Sequence, residues 1–142
     1  SPERFGMKTS EIVEVFGRLV DSGKVDMIDM SLWDCFKVAG DEDCDGKVLI
    51  DIFANLERGA TKLAVAGKLY SAADCRRAVD AGADIVAIGR AAVTNHDFPR
   101  LAKDPAFAMR TLPVPRATLR AEGLSDSFIG YMGNWPGFAE AE

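Results

Sequence analysis

Histidine is almost missing from this chain: His96 stands alone among 142 residues. A zinc site built on several histidines therefore cannot be assembled within one chain, and a serine nucleophile would lack a neighbouring imidazole base. Cysteine is scarce as well. Cys35, Cys44 and Cys75 are odd in number and form no CxxC pair, so a disulfide framework is not expected and a reducing cytoplasm is. All three read as small buried apolar side chains. No apolar run approaches the ~20 residues that a membrane span requires. The opening Ser1-Pro2-Glu3-Arg4 has neither a hydrophobic signal core nor an initiating methionine, and reads as the continuation of a longer polypeptide. Positive charge does not dominate. With 17 Lys and Arg against 22 Asp and Glu, the net charge of −5 argues against a general binder of nucleic acid or of acidic membranes.

What is present is a repeated alternation. A hydrophobic content of 48% is that of a globular domain, and the length leaves room for one domain with a real core. Three segments share a pattern of glycine, short polar step, apolar run and small residue: Gly23 to Ser31, Gly59 to Gly67, and Gly82 to Gly89. Each opening glycine closes a helical stretch, where a left-handed residue is needed. Each apolar run has the length of a strand buried on both faces, as in a parallel sheet. Between them lie helices. From Ser10, the side chains of Ile12, Phe16, Leu19 and Val20 share one face; from Lys47, those of Val48, Leu49, Ile52, Phe53 and Leu56 do so, with Gly59 as the stop. A third helix starts at a Ser71-x-x-Asp74 capping box and runs through Cys75, Ala78 and Val79 to Gly82. A short helical piece, Ala91 to Thr94, precedes Asp97-Phe98-Pro99. The class is α/β with right-handed crossovers. Three parallel strands leave two open edges, whereas a closed barrel needs eight strands. The chain is therefore read as the C-terminal part of a (β/α)8 barrel over residues 1–142, with 100–142 as its short-helical, irregular extension.

Two glycine turns carry the chemistry. Leu63-Ala64-Val65-Ala66-Gly67-Lys68 and Ile85-Val86-Ala87-Ile88-Gly89-Arg90 are apolar strands that stop at glycine. Either glycine alone could be an ordinary turn residue. Together, with a guanidinium directly after the second, they suit a phosphate group, as in the loops that follow the last two strands of such barrels. Asp41-Glu42-Asp43-Cys44-Asp45-Gly46 matches the start of a calcium loop, but Ile52 stands where a bidentate glutamate is needed, so a solvated acidic loop is expected instead. Ser31 and Trp33 follow the first strand, where barrel enzymes place substrate groups; Trp33 either contacts substrate or packs the rim. His96 is expected at the surface or as a cap. Near the end, Asn134-Trp135-Pro136-Gly137-Phe138 is an aromatic cluster of the kind that docks on its own chain or on a second subunit, so a homo-oligomer is expected.

These residues resemble a known group. Ser1-Pro2-Glu3-Arg4-Phe5, Val25 to Ser31, Ala66-Gly67-Lys68-Leu69-Tyr70-Ser71-Ala72-Ala73-Asp74 and Gly82-Ala83-Asp84-Ile85-Val86-Ala87-Ile88-Gly89-Arg90 look like the C-terminal half of the Old Yellow Enzyme family, the FMN-dependent NADH:flavin oxidoreductases. The resemblance implies that the segment holds strands six to eight, and that the FMN phosphate lies on Ala66, Gly67, Lys68, Gly89 and Arg90. Where the family usually has glycine, this chain has Lys68; if that residue needs a positive φ, the turn must differ locally. The family's catalytic residues lie on earlier strands, so none is expected in this segment, and no metal site is implied.

The expectation is an NAD(P)H oxidoreductase, an ene-reductase that reduces activated alkenes through FMN. Its segment in hand supplies the phosphate anchor and is inactive alone, and its partners are the alkene and the missing N-terminal half of the barrel. Two other readings stay open: the phosphate-binding half of a non-redox barrel isomerase or lyase, and a non-catalytic half-barrel that self-associates through its strand edges.

Overall fold

Three apolar runs become three parallel strands, β1 (Met27–Ser31), β2 (Lys62–Ala66) and β3 (Ile85–Val86), in the order β1-β2-β3. The computed structural model describes residues 6–44 and 46–140. Ser1 to Phe5 and Asp45, which carry part of the family resemblance and of the acidic-loop pattern, lie outside the described residues. Met27 pairs with Lys62 and Ser31 with Ala66, while Ala64 pairs with Ile85. The architecture is mixed α/β. Around the strands run α1 (Thr9–Asp21), a 3₁₀ turn (Glu42–Cys44), α2 (Leu49–Ala54), α3 (Ala72–Asp80), α4 (Arg90–Thr94), α5 (Phe98–Leu101), α6 (Arg116–Ala121) and α7 (Asp126–Met132). Among the described residues no helix is long and apolar enough to cross a membrane.

The chain divides into two compact units. One comprises the residues up to Lys68 together with Arg77–Ala87; the other comprises Leu69–Arg76 and the chain from Ile88 onward.

In the first unit the central strand is buried most completely, with Leu63, Ala64 and Val65 almost inaccessible. Strands buried on both faces read as continuous apolar runs, and Leu63 to Val65 does. The outer strands are less covered: Met27 is 48% and Ile85 45% exposed. In α1, Phe16 is buried and tilts against the Phe53 ring of α2, with centroids 6.3 Å apart. Leu19, expected on the same covered stripe, is exposed. The α2 helix also begins later than its pattern implies. Val48 pairs antiparallel with Val38 instead, and the buried side chains of α2 are Ile50 and Phe53, one turn apart. Asp41 accepts the backbone N–H and the hydroxyl of Thr9, so the acidic loop anchors the first turn of α1.

Asp84 clasps the starts of two strands. Its carboxylate accepts the Leu63 backbone N–H at 3.0 Å, the Lys62 ammonium at 3.0 Å and the Arg58 guanidinium at 3.3 Å. Arg58 also donates to the carbonyls of Ala54 and Gly82. The Leu63 amide, then the Lys62 and Arg58 charges, hold Asp84 down at about 2.

The second unit has its own core of Val114, Leu119, Ile129, Met132 and Phe138, flanked by Val93, Leu112, Leu124 and Ala139. The expected irregular tail thus folds back: Val114 bridges Ala139 in parallel, the Val114 amide donates to Phe138 at 2.9 Å, and Glu140 donates to Val114 at 3.0 Å. Ser125 caps α7 by accepting from the Phe128 amide.

Candidate functional site

The turn after β2 is built by an unusual backbone. Gly67 has φ +145° and Lys68 has φ +51°, the latter a left-handed conformation on a residue with a Cβ. Gly67 is required for a second reason. A Cβ there would stand 2.1 Å from the Leu32 carbonyl oxygen and 2.8 Å from the Cys35 nitrogen. The Cys35 amide donates to the Gly67 carbonyl at 3.3 Å, and the Leu32 amide to the Ala66 carbonyl at 2.9 Å. The glycine is therefore set by close packing of two loops as well as by its dihedral.

The same sheet end gathers the predicted rim. Ser31 lies opposite Ala66 in register, and both Ser31 and Trp33 are exposed, Trp33 at 75%. Lys68 directs its ammonium to the Asp34 carboxylate, 3.0 Å away. That bond is the main reason the Asp34 carboxyl sits below its usual range, with burial opposing. What Lys68 can offer a ligand is then chiefly its backbone amide, since Asp34 engages its charge. Asp34 went unassigned in the sequence because only the folded turn brings it to Lys68. Beside it, Arg77 lies over the Phe36 ring at 3.9 Å.

The second turn belongs to the other unit and has a different geometry. Gly89 precedes α4, and among the described residues no heavy atom beyond its chain neighbours lies within 4 Å of where its Cβ would stand. The backbone there is open to close approach by a ligand atom. Arg90 follows at once. Its guanidinium donates through Nη1 to the Tyr70 hydroxyl at 3.2 Å and lies 5.5 Å from the centre of the Trp135 ring. Tyr70 is fixed in turn: its amide donates to Asp74 at 3.0 Å and its carbonyl accepts from Met109 at 2.7 Å. Ser71 caps α3 as its pattern predicts, accepting from the Asp74 amide at 3.0 Å. Neither Tyr70 nor Trp135 carries a local signal of contact with Arg90. Trp135 reads in the sequence as part of a docking cluster, and the cluster's Phe138 does dock on its own chain, being buried in the core of this unit.

His96 lies near this turn in sequence and serves a network of charges. Glu122, its side chain only 9% exposed, accepts the His96 amide at 2.9 Å, the His96 ring at 2.7 Å and the Arg110 guanidinium. Burial opposes these bonds, yet the His96 amide first, then its ring and Arg110, bring the Glu122 carboxyl down to about 2. Arg110 also donates to the Thr94 carbonyl, and its amide to Asn95. His96, Asp97 and Glu122 bring one ligand atom each within 4.8 Å of one another. Both carboxylates are already engaged, Glu122 by Arg110 and Asp97 by Arg100, so the cluster is arranged as a structural ion-pair network.

A shallow cleft of about 300 Å³ lies at the other end of the strands, lined by Leu56 to Gly59, Thr61, Lys62 and Asp84. Its charges are those of the Asp84 clasp, which join Arg58, Lys62 and Asp84 to one another. That end is structural. Cys35 and Cys44 are buried and Cys75 partly so, and burial raises the Cys75 thiol above its usual range.

Comparison with protein-family models, with curated proteins and with solved structures returned no match for the chain.

Proposed function

We propose that the chain is the phosphate-anchoring part of an FMN-dependent NAD(P)H oxidoreductase that reduces electron-poor alkenes, its strands being the last three of a (β/α)8 barrel completed by a preceding segment. A reducing cytoplasm suits its three cysteines. Bound FMN would supply the hydride chemistry, and the protein would orient it and exclude water. This chain contributes no acid or base to the reaction. Gly89 and Arg90 bind the phosphate through the turn before α4, and the turn after β2, with Ala66, Gly67 and Lys68, is a separate candidate in the other unit. Ser31 and Trp33 form part of the substrate rim.

The observation that carries the reading is Arg90, a guanidinium anchored on Tyr70 next to a glycine whose side-chain position is empty. Planar forked donors beside open backbone match a phosphate monoester. The left-handed Lys68 adds support, because strained backbone on a residue with a Cβ collects at ligand-binding turns.

The test compares FMN with riboflavin, which lacks the phosphate, by fluorescence titration. FMN should bind about tenfold or more tightly, and Arg90→Lys should remove most of that preference while leaving riboflavin unchanged. Equal affinity for the two flavins, or no binding of either, would refute the proposal. Binding of inorganic phosphate without flavin preference would favour a non-redox phosphate-binding barrel. A self-associating half-barrel is the reading that the exposed Met27 and Ile85 on the outer strands favour. Sedimentation showing a dimer that forms without flavin would speak for it.

A further inference from the structure

We propose that Tyr70 and Trp135 are positioning residues that set the Arg90 guanidinium in one orientation for a phosphate monoester. This inference rests on the FMN reading above and deepens it. An arginine side chain carries about 2 kcal/mol of rotamer entropy, and a guanidinium fixed before the ligand arrives loses less on binding. Two of the contacts of Arg90 differ in kind. The Tyr70 hydroxyl fixes one nitrogen of the fork from the edge, at 3.2 Å, and the Trp135 ring restricts the plane, at 5.5 Å. A cation within about 6 Å of an indole centroid is attracted by the ring quadrupole.

Both brackets are themselves held. Tyr70 is tied at its amide and its carbonyl, to Asp74 and Met109. Trp135 donates its amide to Met132 at 3.1 Å and accepts from Phe138 at 3.0 Å, and both of those neighbours are buried in the core of the unit. An arginine serving only solubility has no need of two fixed aromatic residues around its head group. The competing account is a staple, in which Arg90 ties the C-terminal loop to the start of α3 and serves stability alone. The two accounts differ in what they do to ligand affinity.

The test measures dissociation constants of the full chain for FMN, riboflavin and inorganic phosphate in four variants, with urea midpoints as a folding control. Tyr70→Phe keeps the ring and removes the hydroxyl, and should weaken FMN binding about fivefold, the net worth of one ordinary hydrogen bond. Trp135→Ala should weaken it by a similar factor, while Trp135→Phe, which keeps an aromatic face, should restore it to within about twofold. Tyr70→Phe with Trp135→Ala combined should lose more than either alone. Riboflavin affinity should stay within about twofold throughout, and phosphate should follow FMN, because only the phosphate end is affected. If the wild type prefers FMN to riboflavin and the variants bind FMN unchanged, the positioning role is overturned while the flavin reading stands. If FMN and riboflavin fall together in every variant, the residues act as a staple and the proposal fails. If the wild type shows no preference for FMN, the flavin reading fails and this inference with it. Tyr70→Phe is close to isosteric, so the comparison holds even where Trp135→Ala does not fold.

Discussion

Replacing Gly67 by alanine should unfold the turn after β2 and with it much of the stability of the first unit. The added methyl would stand 2.1 Å from the Leu32 oxygen, 2.8 Å from the Cys35 nitrogen and 2.9 Å from the Leu32 carbon. All three are backbone atoms, so no side-chain rotation relieves the clash. Forcing alanine to φ +145° costs about 2 kcal/mol. Separating the loops then removes two bonds, from Cys35 to Gly67 and from Leu32 to Ala66, at about 1 kcal/mol each. The stiffer unfolded chain returns about 0.7 kcal/mol. The net loss is about 3 kcal/mol, against a total of about 5–15 kcal/mol for a domain. With a urea dependence of about 1.5 kcal/mol per molar, the midpoint should fall by about 2 M. Urea titration followed by circular dichroism measures it. A loss below about 1 kcal/mol would show that the two loops are not locked by this contact. The result also governs how the site is tested: a Gly67→Ala protein that fails to bind flavin would report on folding, which is why Arg90 and Tyr70 are the better probes.

Two acidic residues make further predictions. Glu122 sits near 2 in the folded protein against 4.5 unperturbed, so its contribution is complete above pH 4.5 and is lost as the pH falls toward 2. Glu122→Gln should therefore cost about 1–3 kcal/mol at pH 7 and little at pH 2, as read by urea unfolding at the two pH values. An equal loss at both would mean that shape, not charge, matters at this position. Asp84 behaves alike between its ordinary 3.8 and about 2. Asp84→Asn should lower the urea midpoint at pH 7 and leave it nearly unchanged at pH 2. An equal drop at both pH values would mean that the charge of this carboxylate is not what it contributes.

The sheet was legible because its signal is local. Leu63 to Val65 is an unbroken apolar run and becomes the most buried strand, and the Ser71–Asp74 cap is written in adjacent residues. What was not legible depends on distant partners. Val48 has the spacing of a helix residue, yet it pairs with Val38 across the acidic loop, and α2 starts one residue later. The third strand is shorter than its pattern: Ile85 and Val86 pair, the Ala87 amide adds one bond to Val65, and the chain then turns toward Gly89. Leu19 lies on the right stripe of α1 but stays exposed, because amphipathicity states which face prefers burial and not how far cover extends. At the candidate site the residues after the strands were visible as glycine and arginine. Their partners were not. Asp34, Tyr70 and Trp135 meet Lys68 and Arg90 only through the fold, and the dual reason for Gly67 appears only when the Leu32 backbone is in place.

The bridge between Val114 and Ala139 closes the polypeptide into a loop that contains α6, α7 and Trp135. A side chain on such a loop inherits its placement from the core beneath it. Trimming a methyl group from Leu119 or Ile129 would loosen the packing around Met132 and Phe138, to which the Trp135 backbone is bonded. The seat of the indole beside Arg90 is thereby set by the interior of this unit, and drift in its core would reach the guanidinium with no change at the surface.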